Sequence, residues 1–109
     1  MDDISAAIWY QERAVQLTPL ADEHGELPGL LSNLGNSLSS RFDKTGDMQN
    51  ISDAIQHLQR AVQLTPDGDA DFPLRLSNLG DALSSRFGRT GAMDDISHQE
   101  KRFFPQDAF

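Results

Sequence analysis

The chain contains no cysteine, which excludes disulfides and thiolate metal sites and leaves the redox compartment unmarked. Aromatic side chains are few, six Phe with one Trp and one Tyr, and the apolar fraction is 38%. With so little bulky material, the 109 residues suit one small domain of helix pairs packed by Leu, Ile and Ala rather than a deep core. No apolar run approaches the roughly 18 residues of a membrane span. The acidic start lacks a signal-peptide pattern, so a soluble, cytoplasmic protein is expected. Basic residues are also scarce: nine Lys and Arg stand against seventeen Asp and Glu, for a net charge of -8. Such a surface repels phosphate backbones and anionic lipid, which disfavours nucleic-acid and membrane partners and favours neutral or basic peptides.

What the chain does have is itself, twice. Residues Leu31 to Phe42 (LSNLGNSLSSRF) return as Leu76 to Phe87 (LSNLGDALSSRF), with ten of twelve identical at an offset of 45. The hexapeptide Ala14 to Pro19 is identical to Ala61 to Pro66 at an offset of 47, and Met1 to Ser5 is identical to Met93 to Ser97. Self-similarity at a period of 20 to 50 residues is the signature of stacked repeats.

Helical spacing of apolar residues places five helices, over about residues 2–17, 28–42, 48–64, 73–87 and 93–100. The first carries Ile4, Ala7, Ile8, Ala14, Val15 and Leu17, begins on Asp2 and Asp3, and is stopped by Thr18-Pro19. Pro28 and Pro73 open the second and fourth, where a missing amide costs little. Gly46 supplies the turn that follows the second. From His98 the register fails, because alanine and an apolar residue are due where Gln99 and Glu100 stand. Residues 1–97 therefore read as a repeat array, and 98–109 as a divergent, irregular tail.

These residues resemble the tetratricopeptide repeat (TPR) family. Its first helix carries a large apolar residue, a Leu-Gly pair and another large residue; Leu31, Leu34, Gly35 and Leu38 fit, as do Leu76, Leu79, Gly80 and Leu83. Its second helix carries small, large, small and then proline, matched by Ala54, Leu58, Ala61 and Pro66. Ala7, Ala14 and Pro19 match as well, with Gln11 departing at the large position. The repeat is longer than the family's usual period of about 34 residues and is similar to kinesin-light-chain-like repeats. It is also similar to fungal and bacterial arrays that accompany caspase-like CHAT domains. The resemblance implies an all-α fold: antiparallel helix-turn-helix repeats stacked as a short right-handed α-solenoid of about 2.5 repeats and five helices. Gly35 and Gly80 would remove side chains where Ala54 and Ala61 type positions cross them.

The resemblance further implies a protein–protein interaction module whose first helices line a concave peptide-binding groove. By position the groove candidates are Asn33, Asn36 and Ser40, then Asn78, Asp81 and Ser85, with Ser32, Ser39, Ser77 and Ser84 beside them. Asparagine both donates and accepts, which suits a peptide backbone, and Asn33 and Asn78 are the leading pair. Cations that would clamp a terminal carboxylate are absent from these positions. Solvation of an outward face is the plainer reading of such Ser and Asn residues.

Catalysis and metal binding find no foothold. Asp67, Asp69 and Asp71 alternate like the start of a calcium loop, but Phe72 and Asn78 occupy the positions that require Gly and Glu. His24, His57 and His98 lie at no metal-ligand spacing, and no Ser sits in a nucleophile elbow. The expectation is a non-enzymatic module with no cofactor. Its alternative is a non-binding spacer or regulatory piece of a longer array attached to a separate effector or CHAT protease-like domain. Repeat arrays need about three stacked units and polar caps, so exposed array ends should favour self-association.

Overall fold

The computed structural model describes residues 2–19, 22 and 25–91. Among these the chain is all-α, with four helices and no strand: α1 (Asp3–Leu17), α2 (Leu27–Thr45), α3 (Met48–Leu64) and α4 (Phe72–Thr90). The five-helix, right-handed solenoid of about 2.5 repeats expected from the sequence is thereby corrected to a four-helix domain. Four helices contain a single repeat-to-repeat step, and a superhelical hand needs several such steps. The fifth helix expected at 93–100 and the tail at 98–109 lie outside the described residues.

Each end of these helices has a local cause. Asp2 caps α1 by accepting from the Ser5 amide at 2.8 Å, which holds its carboxyl below the usual pKa. Asp47 caps α3 through the Gln49 amide. The Thr-Pro pair ends both α1 and α3: Thr18 and Thr65 turn their hydroxyls back to the carbonyls of Ala14 and Ala61, and the proline that follows cannot continue the ladder. At the start of α2 Glu26 provides no side-chain cap; Asp22 does, accepting from the Leu27 amide at 2.6 Å. α2 and α4 run to Thr45 and Thr90, past the Phe42 and Phe87 ends expected from the sequence. The stop is set by Gly46 and Gly91, whose φ of 72° and 60° let their amides close on the Phe42 and Phe87 carbonyls.

The helices pack in chain order, α1 on α2, α2 on α3 and α3 on α4, and α2 also touches α4. The resulting body measures 40 × 37 × 18 Å. Its thin dimension is two helices deep at an interaxial spacing of about 8–10 Å. The core lies on α2 and α3, where Leu34, Leu38 and Phe42 meet Ile51, Ala54, Ile55 and Leu58, with Ile8 of α1 and Ala82 of α4 closing its sides. Burying each large side chain contributes about 1.5–3 kcal/mol, so this apolar seam outweighs every polar contact in the chain. On α3, His57 is half-buried, and loss of hydration lowers its pKa although Asp53 and Glu12 of α1 pull the other way.

The seam depends on one absent side chain. A Cβ on Gly35 would stand 2.6 Å from Leu58 Cγ and 3.2 Å from the Ala54 carbonyl oxygen. Its repeat equivalent, Gly80, has none of the described residues within 4 Å. Alanine at the two positions should therefore act in opposite directions. Gly35→Ala overpacks the seam and should destabilise by about 1–3 kcal/mol. Gly80→Ala relieves the glycine penalty in an open helix and should stabilise by about 0.5–1 kcal/mol. Urea unfolding of the dilute chain measures both, and shifts of the same sign would show that the two faces are equally covered.

Candidate functional site

The polar candidates fall on the side of α2 opposite its buried stripe. Leu31, Leu34, Gly35, Leu38 and Phe42 turn to the core, whereas Asn33, Asn36 and Ser40 are exposed along the far side at spacings of three and four. On α4 the equivalents are divided: Asp81 is exposed and Ser85 half-buried. The row is thus an outer helix face, presented away from the seam.

Asn78 behaves differently from its repeat mate Asn33. Its Nδ2 donates to Ser32 Oγ at 2.9 Å and so ties α4 to α2 across 46 positions. Ser32 is only 1% exposed, and the bond satisfies a hydroxyl that would otherwise lose its hydration. The leading pair is therefore split, Asn33 free on the surface and Asn78 bound in a cross-helix link. Ser39 Oγ is buried without a hydrogen-bond partner. Ser77, the equivalent of Ser32, is exposed.

Arg41 lies in the last turns of α2, where a cation suits the negative end of the helix dipole, and its place is more specific than that. Its Nε donates to Asn50 Oδ1 at 2.9 Å and its Nη1 to Ser5 Oγ at 3.2 Å. One guanidinium thus spans α1, α2 and α3, using the fork of donors that lysine lacks. Asn50, itself buried, passes the connection to Thr45 Oγ1. No single-helix pattern announces such a link; the signal is the pairing of Arg41 with a buried Asn on the next helix, visible only after folding.

Near the ends of α2 and α4 a shallow depression is lined by Phe42, Asp43, Ser85, Gly88 and Arg89. The Arg89 guanidinium lies over the Phe42 ring at 5.6 Å and against Gly46. Trp9 and Tyr10 are exposed on α1 and meet edge to face at 5.0 Å. Among the described residues no group of three or more His, Asp or Glu is placed to hold a metal ion. No helix among them is long and apolar enough to cross a membrane.

The packing residues expected from the repeat also divide. Leu31, Leu34, Leu38, Ala54, Leu58 and Ala61 are all buried, whereas Leu76 is 46% exposed and Leu79 and Leu83 are half-buried. Pro66 is exposed after its helix. Comparison with protein-family models, curated proteins and solved structures found no match to this chain. Its surfaces are read from geometry alone.

The split of the Asn pair has a measurable consequence. Asn78→Ala removes the partner of a buried hydroxyl and should cost about 1–2 kcal/mol. Asn33→Ala changes an exposed helix position and should stay within about 0.5 kcal/mol of the parent chain. Denaturant midpoints compare them directly, and equal costs would dissolve the link between α2 and α4.

Proposed function

We propose that this chain is a protein-interaction module, without catalytic activity or cofactor, whose outer α2–α4 face receives a neutral or basic peptide. The observation that supports this reading is the row of Asn33, Asn36 and Ser40. These three exposed groups on one helix face can both donate and accept, as a peptide backbone requires. Asp81 extends the row with negative charge on α4. A net charge of -8 adds a long-range pull on basic partners and repulsion of nucleic acid and anionic membrane. A cytoplasmic location belongs to the same proposal.

The rival reading is a spacer or regulatory segment with no ligand of its own, which the uncovered flank of α4 favours. Titration of a fluorescent peptide panel graded in charge separates the two. The interaction reading expects basic and neutral peptides to bind in preference to acidic ones. Replacing Asn33, Asn36 and Asp81 together by Ala should then weaken binding at least tenfold, about 1.4 kcal/mol, with far-UV circular dichroism and the urea midpoint unchanged. Binding that survives this triple replacement would remove the outer row from consideration. A panel with no binder at all would favour the spacer.

A further inference from the structure

α2 and α4 are nearly the same helix in two situations. On α2 the stripe of Leu31, Leu34, Gly35 and Leu38 is sealed by α3. On α4 the same stripe carries Leu76 at 46% exposure and a Gly80 with nothing within 4 Å. The chain therefore displays both the socket and its proper plug, and only one of its two sockets is filled among the described residues.

A second plug is present at the other end. α1 aligns with α3 without gaps, with an identical run from Ala14 to Pro19 and from Ala61 to Pro66. Yet Ala54, Leu58 and Ala61 are fully buried, whereas Ala7 is exposed and Gln11 and Ala14 are only half-buried. The flank of α1 that corresponds to the α2-facing flank of α3 is thus less covered by the described residues, although Gln11 Oε1 is itself buried there. The sequence after α4 begins this pattern again, with Met93 to Ser97 identical to Met1 to Ser5, and then departs from it: Gln99 and Glu100 stand at the Ala54 and Ile55 positions, and Pro105 at that of Arg60.

We infer that two copies of this chain associate head to tail, with α1 of one copy seated on the Leu76–Gly80–Leu83 face of α4 in the other. The contact repeats between chains the packing of α2 on α3 within one. Polar groups agree with this register. The Asn78–Ser32 bond joins neighbouring first helices, and its two unpaired halves are Asn33 at one end and Ser77 at the other, both exposed. Docking of α1 brings its own α2 beside the first copy's α4, where Asn33 meets Ser77. The bond from Arg41 to Asn50 likewise recurs as Arg86 with Asp3, now a pair of opposite charges. Gln11 at the Leu58 position exchanges apolar contact for an amide, so the contact between chains is weaker than the seam within one. Because each copy carries one plug and one open socket, the contact is heterologous and propagates into chains or rings. This surface shares Asn33 with the outer polar row but is formed by the apolar flanks of α1 and α4, so it does not rest on peptide binding there.

Sedimentation velocity on the full chain across a dilution series tests the inference with two single variants. Gly80→Leu fills the open socket, where the free chain has room for a side chain, and leaves α1 intact. Ala7→Glu places charge on the exposed flank of α1 and leaves the α4 face intact. The parent chain should show concentration-dependent species beyond the dimer, and each variant alone should weaken association at least tenfold. Mixed one to one, the variants should give a dimer that grows no further, since only one plug and one socket remain competent. A parent chain monomeric at millimolar concentration overturns the inference, and so do variants that associate like the parent. Dimers formed by Ala7→Glu alone would overturn it in favour of an α4-to-α4 contact. A monomer that Gly80→Leu destabilises would assign the face to the chain's own residues 93–109.

Discussion

The fit of Leu58 and Ala54 into the space left by Gly35 is the constraint on which the rest depends. A missing Cβ lets α3 approach α2 closely enough that Leu31, Leu34, Leu38 and Ile51 lose nearly all contact with water. The close approach also fixes where other groups can stand. Arg41 reaches Asn50 across that seam and Ser5 on its far side, and α4 is drawn to the edge of α2, where Asn78 finds Ser32. These hydrogen bonds contribute about 1 kcal/mol each, less than a single buried leucine. They set register more than they hold the fold.

The same seam explains why nearly identical helices differ so much in burial. Helix α4 carries the residues of α2, including its leucines and its glycine, yet the described residues leave Leu76 exposed and Leu79 and Leu83 only half-buried on α4. Burial is a property of the pair rather than of the helix, and a repeated helix without its mate exposes the apolar face its sequence prescribes. Surfaces therefore differ in kind around this molecule. The outer face of α2 is polar, with Asn33, Asn36 and Ser40 exposed, whereas the less covered flanks of α4 and α1 carry residues of the type that α2 and α3 bury.

Much of this organisation is legible in the residues, and the limits are physical. Thr-Pro stops, proline starts and the period of Leu31, Leu34 and Leu38 mark helices, because capping and amphipathicity are local. Helix ends at Thr45 and Thr90 were less legible: Phe42 closes the apolar stripe, but the backbone turns only where Gly46 permits a positive φ. A five-helix solenoid read from repetition overreached, since repetition specifies the packing step and not the number of steps taken. The candidate site was legible in part. Repetition marks Asn33 and Asn78 as equivalent, yet among the described residues Asn33 has no helix beside it that offers what Ser32 of α2 offers Asn78. Only the fold shows that Asn78 is occupied and Asn33 is not.

The central claim is that α2 is sealed by α3 while the described residues cover the equivalent face of α4 only in part. Native-state hydrogen exchange on the dilute chain tests it most directly, by comparing amides at Leu34 to Leu38 with those at Leu79 to Leu83. The claim predicts that the α2 amides exchange only through global unfolding, and that the α4 amides exchange through a partial opening of lower free energy. Equal opening free energies for the two helices would contradict it, because α4 would then be as fully covered as α2.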